Sequence, residues 1–325
     1  MSWFLFALIC LVGWGTADLF YKKSSDGSDP HSHLKITVWV GLVMGITSLL
    51  LLPFTETLSA NGLSIQALIN GAVVYAPASL GYILSMVIGY AGLRYLELSI
   101  VSPVQNASGA LSAVCMLVYF ALTNQGKRVF EEYSTLELIG TVLIVLGVIC
   151  LAIAEQKSSP VPSPDRAAAK KYRTGALALI FPILYCVFDT LGTAADGIIL
   201  SQESASSLGE IDVLVLYGLT FFAAGAAVYV YLWIRDKKPY PLFRKSERVK
   251  AIAAVCEQFG QIFYVYAMAM NPVIAAPMVA GYCIVSVILS RLFLKEDIGR
   301  VRYACVFCVI AGILLLGIAE GLGAL

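Results

Sequence analysis

The sequence predicts an all-α integral membrane protein of ten transmembrane helices, arranged as two inverted five-helix repeats around a central cavity. Three observations carry that prediction. The first is composition: 59% of the 325 residues are hydrophobic and 13% charged, with a mean hydropathy of +0.83. Soluble domains instead carry about 25% charged residues. The second is a series of ten apolar runs, each near the length of about 20 residues that crosses a bilayer core. The third is likeness between the first five runs and the last five.

In chain order the runs are 3–21, 35–52, 67–92, 99–122, 135–154, 174–200, 211–234, 247–269, 274–294 and 300–319. Backbone groups in lipid must bond within their own segment, so each run is read as a helix. The first run lacks a basic n-region and a small-residue cleavage site, and reads as a retained span. Between the fifth and sixth runs stands "EQKSSPVPSPDRAAAKKYR", where proline, serine and charge mark a cytoplasmic linker. The chain therefore divides into a first repeat (1–154), the linker (155–173) and a second repeat (174–325).

The two halves match at several points. "VLGVICLAIAE" (145–155) parallels "IAGILLLGIAE" (310–320), with Gly147 opposite Gly312. "YAGLRYLELSIVSPV" (90–104) parallels "YAMAMNPVIAAPMV" (266–279), aligning Tyr90 with Tyr266 and Pro103 with Pro277. "WGTAD" (14–18) parallels "YCVFD" (185–189). An odd number of spans per unit inserts the second unit upside down. Inverted repeats place a substrate site near the midplane, between the halves. Orientation follows from charge. Twenty of the 22 Lys and Arg fall at loops 1–2, 3–4, 5–6, 7–8 and 9–10, while Lys127 and Arg128 lie in loop 4–5. The positive-inside rule then sets both termini outside.

A net charge of +1 leaves no nucleic-acid footprint. The eight cysteines all fall in apolar runs and read as core-filling residues, the C-x-x-C of Cys305 and Cys308 included. His31 and His33, beside Asp26 and Asp29, read as a solvated loop. No metal and no cofactor are expected.

Ten spans, two five-helix units and a Gly-rich closing helix resemble the drug/metabolite transporter superfamily, EamA-type. "YLELSIVSPV" and "MNPVIAAPMV" resemble that family's turns into the fourth and ninth helices. "LFLKEDIGRVRYACVFCVIAGILL" (292–315) resembles its acidic loop entering the last helix. The resemblance implies a central cavity lined by the first, third and fourth helices and their counterparts, with alternating access by rocking of those helices. It also implies cytoplasmic termini, against the charge count. A bacterial plasma membrane is the expected location.

Three acids stand inside the apolar runs: Asp18, Asp189 and Glu257. A charge at the centre of a span costs about 2.5–3.5 kcal/mol even on the lenient insertion scale, so such residues face a cavity or the bundle interior. Asp189 has Tyr185 one turn before it and Thr193 one turn after; a Thr193 hydrogen bond would be a packing role, and Pro182 could kink the helix. Asp18 follows Trp14 by one turn, with Lys22 at i+4 as an interfacial partner. Glu257 shares a face with Gln261 and Tyr264, and a Glu257–Gln261 hydrogen bond is its packing alternative. An aromatic face beside a carboxylate suits a cationic group. Polar walls are expected from Tyr75, Ser79 and Tyr82, from Gln105, Asn106 and Ser108, and from Tyr282. Asp196 reads as interfacial. The substrate-binding candidates are thus Trp14, Asp18, Tyr82, Asn106, Tyr185, Asp189, Glu257, Gln261 and Tyr282, with Asp189 and Glu257 as proton-coupling candidates.

No H-E-x-x-H, no G-x-S-x-G and no serine–histidine pair argues for an enzyme. No filter-like loop recurs between spans, as a channel would need. The expected function is secondary active transport of a small metabolite, preferentially an amine or quaternary ammonium compound, with protons as the coupling partner. The alternative is an exporter of amino acids or neutral metabolites whose acids carry protons only. Both halves lie in one chain, so a monomer in the bilayer is expected to suffice.

Overall fold

The structure, a computed structural model, describes residues 2–25, 29–59, 64–96, 98–123, 133–158, 179–201, 208–295 and 300–323. These residues contain helices and no strand. The helices are α1 (Trp3–Ser24), α2 (Ser32–Leu51), α3 (Ile65–Gly92), α4 (Leu98–Thr123), α5 (Thr135–Ser158), α6 (Ile180–Leu200), α7 (Glu210–Asp236), α8 (Arg248–Met270), α9 (Pro272–Ala280), α10 (Tyr282–Leu289) and α11 (Arg300–Gly323). A 3₁₀ turn, Leu52–Phe54, extends α2.

Several expectations change. Helix α5 runs to Ser158, so residues 155–158 are helical rather than linker. The rest of the linker, with Lys127, Arg128, Asp26, Glu296 and Asp297, lies outside the described residues. The ninth run is not one helix: it breaks at Gly281 between α9 and α10, then ends in a π turn, Ser290–Leu294. Pro182 sits in the first turn of α6, where its missing N–H has no intrahelical acceptor to lose, so it starts the helix and kinks nothing.

By length and apolarity eight segments can cross a membrane among the described residues: α1, α2 with its 3₁₀ extension, α3, α4, α6, α7, Pro272–Leu294 and α11. Thr135–Leu151 within α5 is a shorter apolar helix. Helix α8 falls short because it carries Arg248, Lys250, Glu257, Gln258 and Gln261. Its polarity faces inward, since Glu257, Gln258 and Gln261 are all buried. The outer faces are apolar instead. Leu50, Val73, Leu122, Ile234 and Phe307 are all exposed, the surface an integral multi-pass protein turns to acyl chains.

The helices of the first half pack on those of the second. Helix α1 lies on α8, α2 on α7, α3 on α6, α4 on α9 and α5 on α11. Small residues let the backbones approach. A Cβ on Gly13 would stand 2.9 Å from the Gly260 Cα, and one on Gly81 2.8 Å from the Gly192 Cα. Gly41 meets Gly225, and Gly140 meets Gly312, in the same way. Spans of this kind lack a hydrophobic force between helices in lipid, so such close fits carry the association.

Helix ends and loops are tied by specific side chains. The Ser64 hydroxyl accepts from the Ala67 N–H at 3.1 Å and caps α3. The Asp29 carboxylate accepts from the His31 N–H at 3.0 Å and from Lys35 Nζ at 2.6 Å, fixing the start of α2. Buried Asp212 accepts from the Thr57 and Leu58 N–H groups at 2.9 and 3.2 Å, holding the turn after α2 on α7. Tyr240 donates to Glu247, which also pairs with Lys250 at 2.9 Å, so the turn before α8 is locked. Cys115 and Cys150 are exposed on the outer faces rather than buried in the core. Among the described residues no cluster could hold a metal ion.

Candidate functional site

Between the two sets of helices lies a cavity with about 770 Å³ of space between atoms, some of it open solvent. Helical periodicity builds its walls. Trp14, Asp18 and Tyr21 recur on one face of α1; Tyr185, Asp189 and Thr193 do so on α6. Tyr82, Met86 and Gly89 line it from α3, and Glu257, Gln261 and Tyr264 from α8. Gln105, Asn106, Ser108 and Gly109 come from α4, with Ala276, Val279 and Ala280 opposite them on α9 and Tyr282 opening α10. The break at Gly281 sits in this wall. A continuous α9–α10 helix would rotate Tyr282 about 100° on from its neighbour.

All nine residues singled out from the sequence line this one cavity: Trp14, Asp18, Tyr82, Asn106, Tyr185, Asp189, Glu257, Gln261 and Tyr282. Glu257 lies in electrostatic reach of both Asp18 and Asp189. No lysine, arginine or histidine lines the cavity among the described residues. Seven tyrosines and Trp14 do. The rings pack as a cage: Trp14 lies 4.9 Å from Tyr264 and 5.6 Å from Tyr282 between centroids, Tyr21 4.7 Å from Tyr90, and Tyr82 5.5 Å from Tyr217.

Each carboxylate is held in its own way. Asp18 Oδ2 accepts from Ser102 Oγ at 2.8 Å and from Ser286 Oγ at 2.7 Å, so α4 and α10 are both tied to α1. Lys22, the expected interfacial partner, instead donates to the Leu93 and Leu96 carbonyls at 2.8 and 2.6 Å, where α3 ends. An ammonium near the end of a helix meets carbonyls that have no intrahelical donor. Asp189 Oδ2 accepts from Ser108 Oγ at 2.6 Å. Thr193, expected as its partner, lies 3.4 Å from the Tyr82 hydroxyl. The Trp14 indole donates to the Glu257 backbone carbonyl at 3.2 Å, which fixes the ring across the α1–α8 crossing. The Gln261 amide nitrogen has no partner among the described residues, so no Glu257–Gln261 bond forms through it. Among the described residues the Gln105 amide nitrogen is likewise unpartnered, whereas the Tyr21 hydroxyl lies in reach of both Glu257 and Tyr90.

The expected polar face of α3 splits. Tyr82 lines the cavity, but Ser79 turns to the Ala76 carbonyl at 3.4 Å and Tyr75 points behind the wall. Tyr75 points to Asp196, which is not interfacial: it is 0% exposed. Tyr75 donates to Asp196 Oδ1 at 2.8 Å and Tyr82 to Oδ2 at 3.3 Å. Position along α6 suggested the interface; packing of α3 and α8 over that end of α6 buries it. Tyr21 could have been found at i+7 from Trp14, and Ser286 at i+4 from Tyr282. Tyr217 stands alone in an apolar stretch of α7, with no local signal.

A solved structure, described only as the crystal structure of a protein, matches with a TM-score of 0.58 over 98% of both chains at 14% identity. At that identity the likeness shows the fold alone. No curated protein matches the chain. Residues 198–318 match the EamA-like transporter family, part of the drug/metabolite transporter superfamily, and so carry the kinship read from the sequence.

Proposed function

We propose that the protein is a secondary active transporter of a small organic cation, an amine or quaternary ammonium compound, working by alternating access. One observation carries the reading: a cavity with three carboxylates, eight aromatic side chains and no positive side chain among its described lining residues. Cation–π attraction contributes about 0.5–2 kcal/mol per favourable ring contact. Carboxylates add charge attraction that low dielectric strengthens. An anion would meet no positive side chain among the described lining residues.

The architecture of two inverted repeats, 1–154 and 174–325 joined by the linker 155–173, is supported by the helix pairing. Exchange of the halves carries the α1–α8 pair onto α6–α3 and leaves α2–α7, α4–α9 and α5–α11 in place. Pro103 and Pro277 are each the sixth residue of their helix, α4 and α9. The Gly13–Gly260 and Gly81–Gly192 approaches are likewise exchanged. Rocking of the halves about the glycine contacts opens the cavity to either side in turn. Competition of proton and cation at Asp189 or Glu257 supplies the unequal affinity that a ligand needs to drive such a change. One chain holds both halves, as a monomeric transporter requires. The basic loops lie in the cytoplasm and both termini outside.

A second reading is favoured by the amide donors of Gln105 and Gln261, unpartnered among the described residues. Such groups suit a substrate with acceptor oxygens, as in an amino acid or neutral metabolite, the acids then serving as proton carriers. Uptake of labelled tetraethylammonium into proteoliposomes under an imposed pH gradient tests the first reading. Gradient-driven accumulation is expected, with at least a tenfold loss in Asp189→Asn. Accumulation of a neutral amino acid but not of tetraethylammonium would favour the second.

A further inference from the structure

The binding reading gives Asp196 no task, yet it is a carboxylate within an apolar, membrane-length helix and has no exposed surface. No ion pair among the described residues includes it. Its partners are hydroxyls: Tyr75 at 2.8 Å on Oδ1 and Tyr82 at 3.3 Å on Oδ2, with the Tyr264 hydroxyl also in reach. The Tyr82 oxygen lies 2.7 Å from that of Tyr264, and either can be the donor. Tyr82 and Tyr264 both line the cavity. A continuous chain, Asp196–Tyr82–Tyr264, therefore runs from a sealed acid to the substrate space.

We propose that Asp196 is a proton site whose state sets the direction of the Tyr264 hydroxyl in the cavity, and with it the acceptance of a cation. The proposal rests on the cation reading above and extends it to coupling. Donor accounting gives the logic. An ionised Asp196 accepts from Tyr82. The Tyr82 oxygen then accepts from Tyr264, whose proton is used inward and whose lone pairs face the cavity. A lone pair attracts a cation. A protonated Asp196 donates to the Tyr82 oxygen instead. Tyr82 then donates to Tyr264, and the Tyr264 proton points into the cavity, where its dipole opposes a cation.

The transfer balances without rotation of any ring. A hydronium in cavity water gives its proton to the Tyr264 oxygen and leaves as water. The original Tyr264 proton passes to Tyr82, and the Tyr82 proton passes to Asp196. Each O–H bond broken is matched by one formed, and both tyrosines end neutral. The groups that face Asp196 are Tyr75 and Tyr82 from α3, Tyr264 from α8 and Tyr217 from α7, with Asp189 two turns back on α6. Helices α4 and α9 present Met116 and Pro272 at the adjacent Gly197. A buried hydroxyl network of this kind is a proton relay chemistry well suited to intramembrane acids.

The test uses the full chain in detergent and tetraethylammonium, whose charge is fixed. Its Kd is measured against pH for the parent, Asp196→Asn, Tyr82→Phe and the double variant. Release of one proton per cation bound makes the Kd rise roughly tenfold per unit fall in pH. Asp196→Asn and Tyr82→Phe are each expected to lower the number of protons released by one, and the double variant by no more than either. Tyr82→Phe keeps the carboxylate and guards against misfolding of the Asn variant. Infrared difference spectra without ligand are expected to show carboxylic-acid carbonyl bands that grow on acidification, one of which is missing in Asp196→Asn while those of the cavity acids remain. Unchanged bands in Asp196→Asn, or an unchanged proton count in either single variant, overturn the proposal. Absence of tetraethylammonium binding by the parent at every pH overturns the cation reading and the coupling with it, while the infrared band still reports the proton site separately.

Discussion

At the scale of the residue, the account turns on how carboxylates are held. Asp18 keeps two serine donors from two different helices, and Asp189 keeps Ser108 with Tyr185 and Ser85 also in reach. These donors aim the oxygens rather than neutralise them. Removal of both donors from Asp18, in Ser102→Ala with Ser286→Ala, is expected to weaken tetraethylammonium binding by about 1 kcal/mol, roughly fivefold in Kd. Isothermal titration checks this; an unchanged Kd would mean the Asp18 orientation is irrelevant to the ligand. Six of the nine cavity residues were legible through a local oddity, an acid inside an apolar run or an aromatic or amide one turn from it, while Tyr82, Asn106 and Tyr282 were read only as polar positions in otherwise apolar spans. Tyr217 and Asp196 were not legible. A tyrosine in a span is common, and the burial of Asp196 depends on Tyr75, Tyr82 and Tyr264, which come from helices far along the chain.

At the scale of the element, glycine contacts decide which helices meet. Gly13 has no room for a Cβ, which would fall 2.9 Å from the Gly260 backbone, whereas Gly321 has nothing within 4 Å. Gly13→Ala is expected to cost about 1–3 kcal/mol through forced separation of α1 and α8. Gly321→Ala is expected to be neutral or stabilising by about 0.5–1 kcal/mol from helix propensity. Thermal unfolding in detergent compares them; equal effects would remove the role given to the crossing. Most helices were legible from run length and apolarity, with ends within a few residues, while the start of the sixth run, 174–178, lies outside the described residues. The break at Gly281 was not. Its φ of −60° and ψ of −7° are open to any residue, so no local signal announced it. Helix α8 was legible as a span only by accepting buried polar groups that a hydropathy count penalises.

At the scale of the whole molecule, orientation follows from charge. The turn between α7 and α8 carries exposed Lys237, Lys238, Arg244 and Lys245 around Phe243, which is 94% exposed. The reading of cytoplasmic basic loops expects Phe243→Cys to react with a membrane-impermeant maleimide in inside-out vesicles and not in right-side-out ones, against the parent as background. The reverse pattern would invert the protein and return the termini to the cytoplasm.

The central claim is that the cavity recognises positive charge. Equilibrium binding of choline against its neutral carbon isostere, which has the same shape and no charge, tests it most directly. Cage and carboxylates together predict at least about 2 kcal/mol in favour of choline, roughly thirtyfold in Kd. Equal affinity for the two would contradict the account.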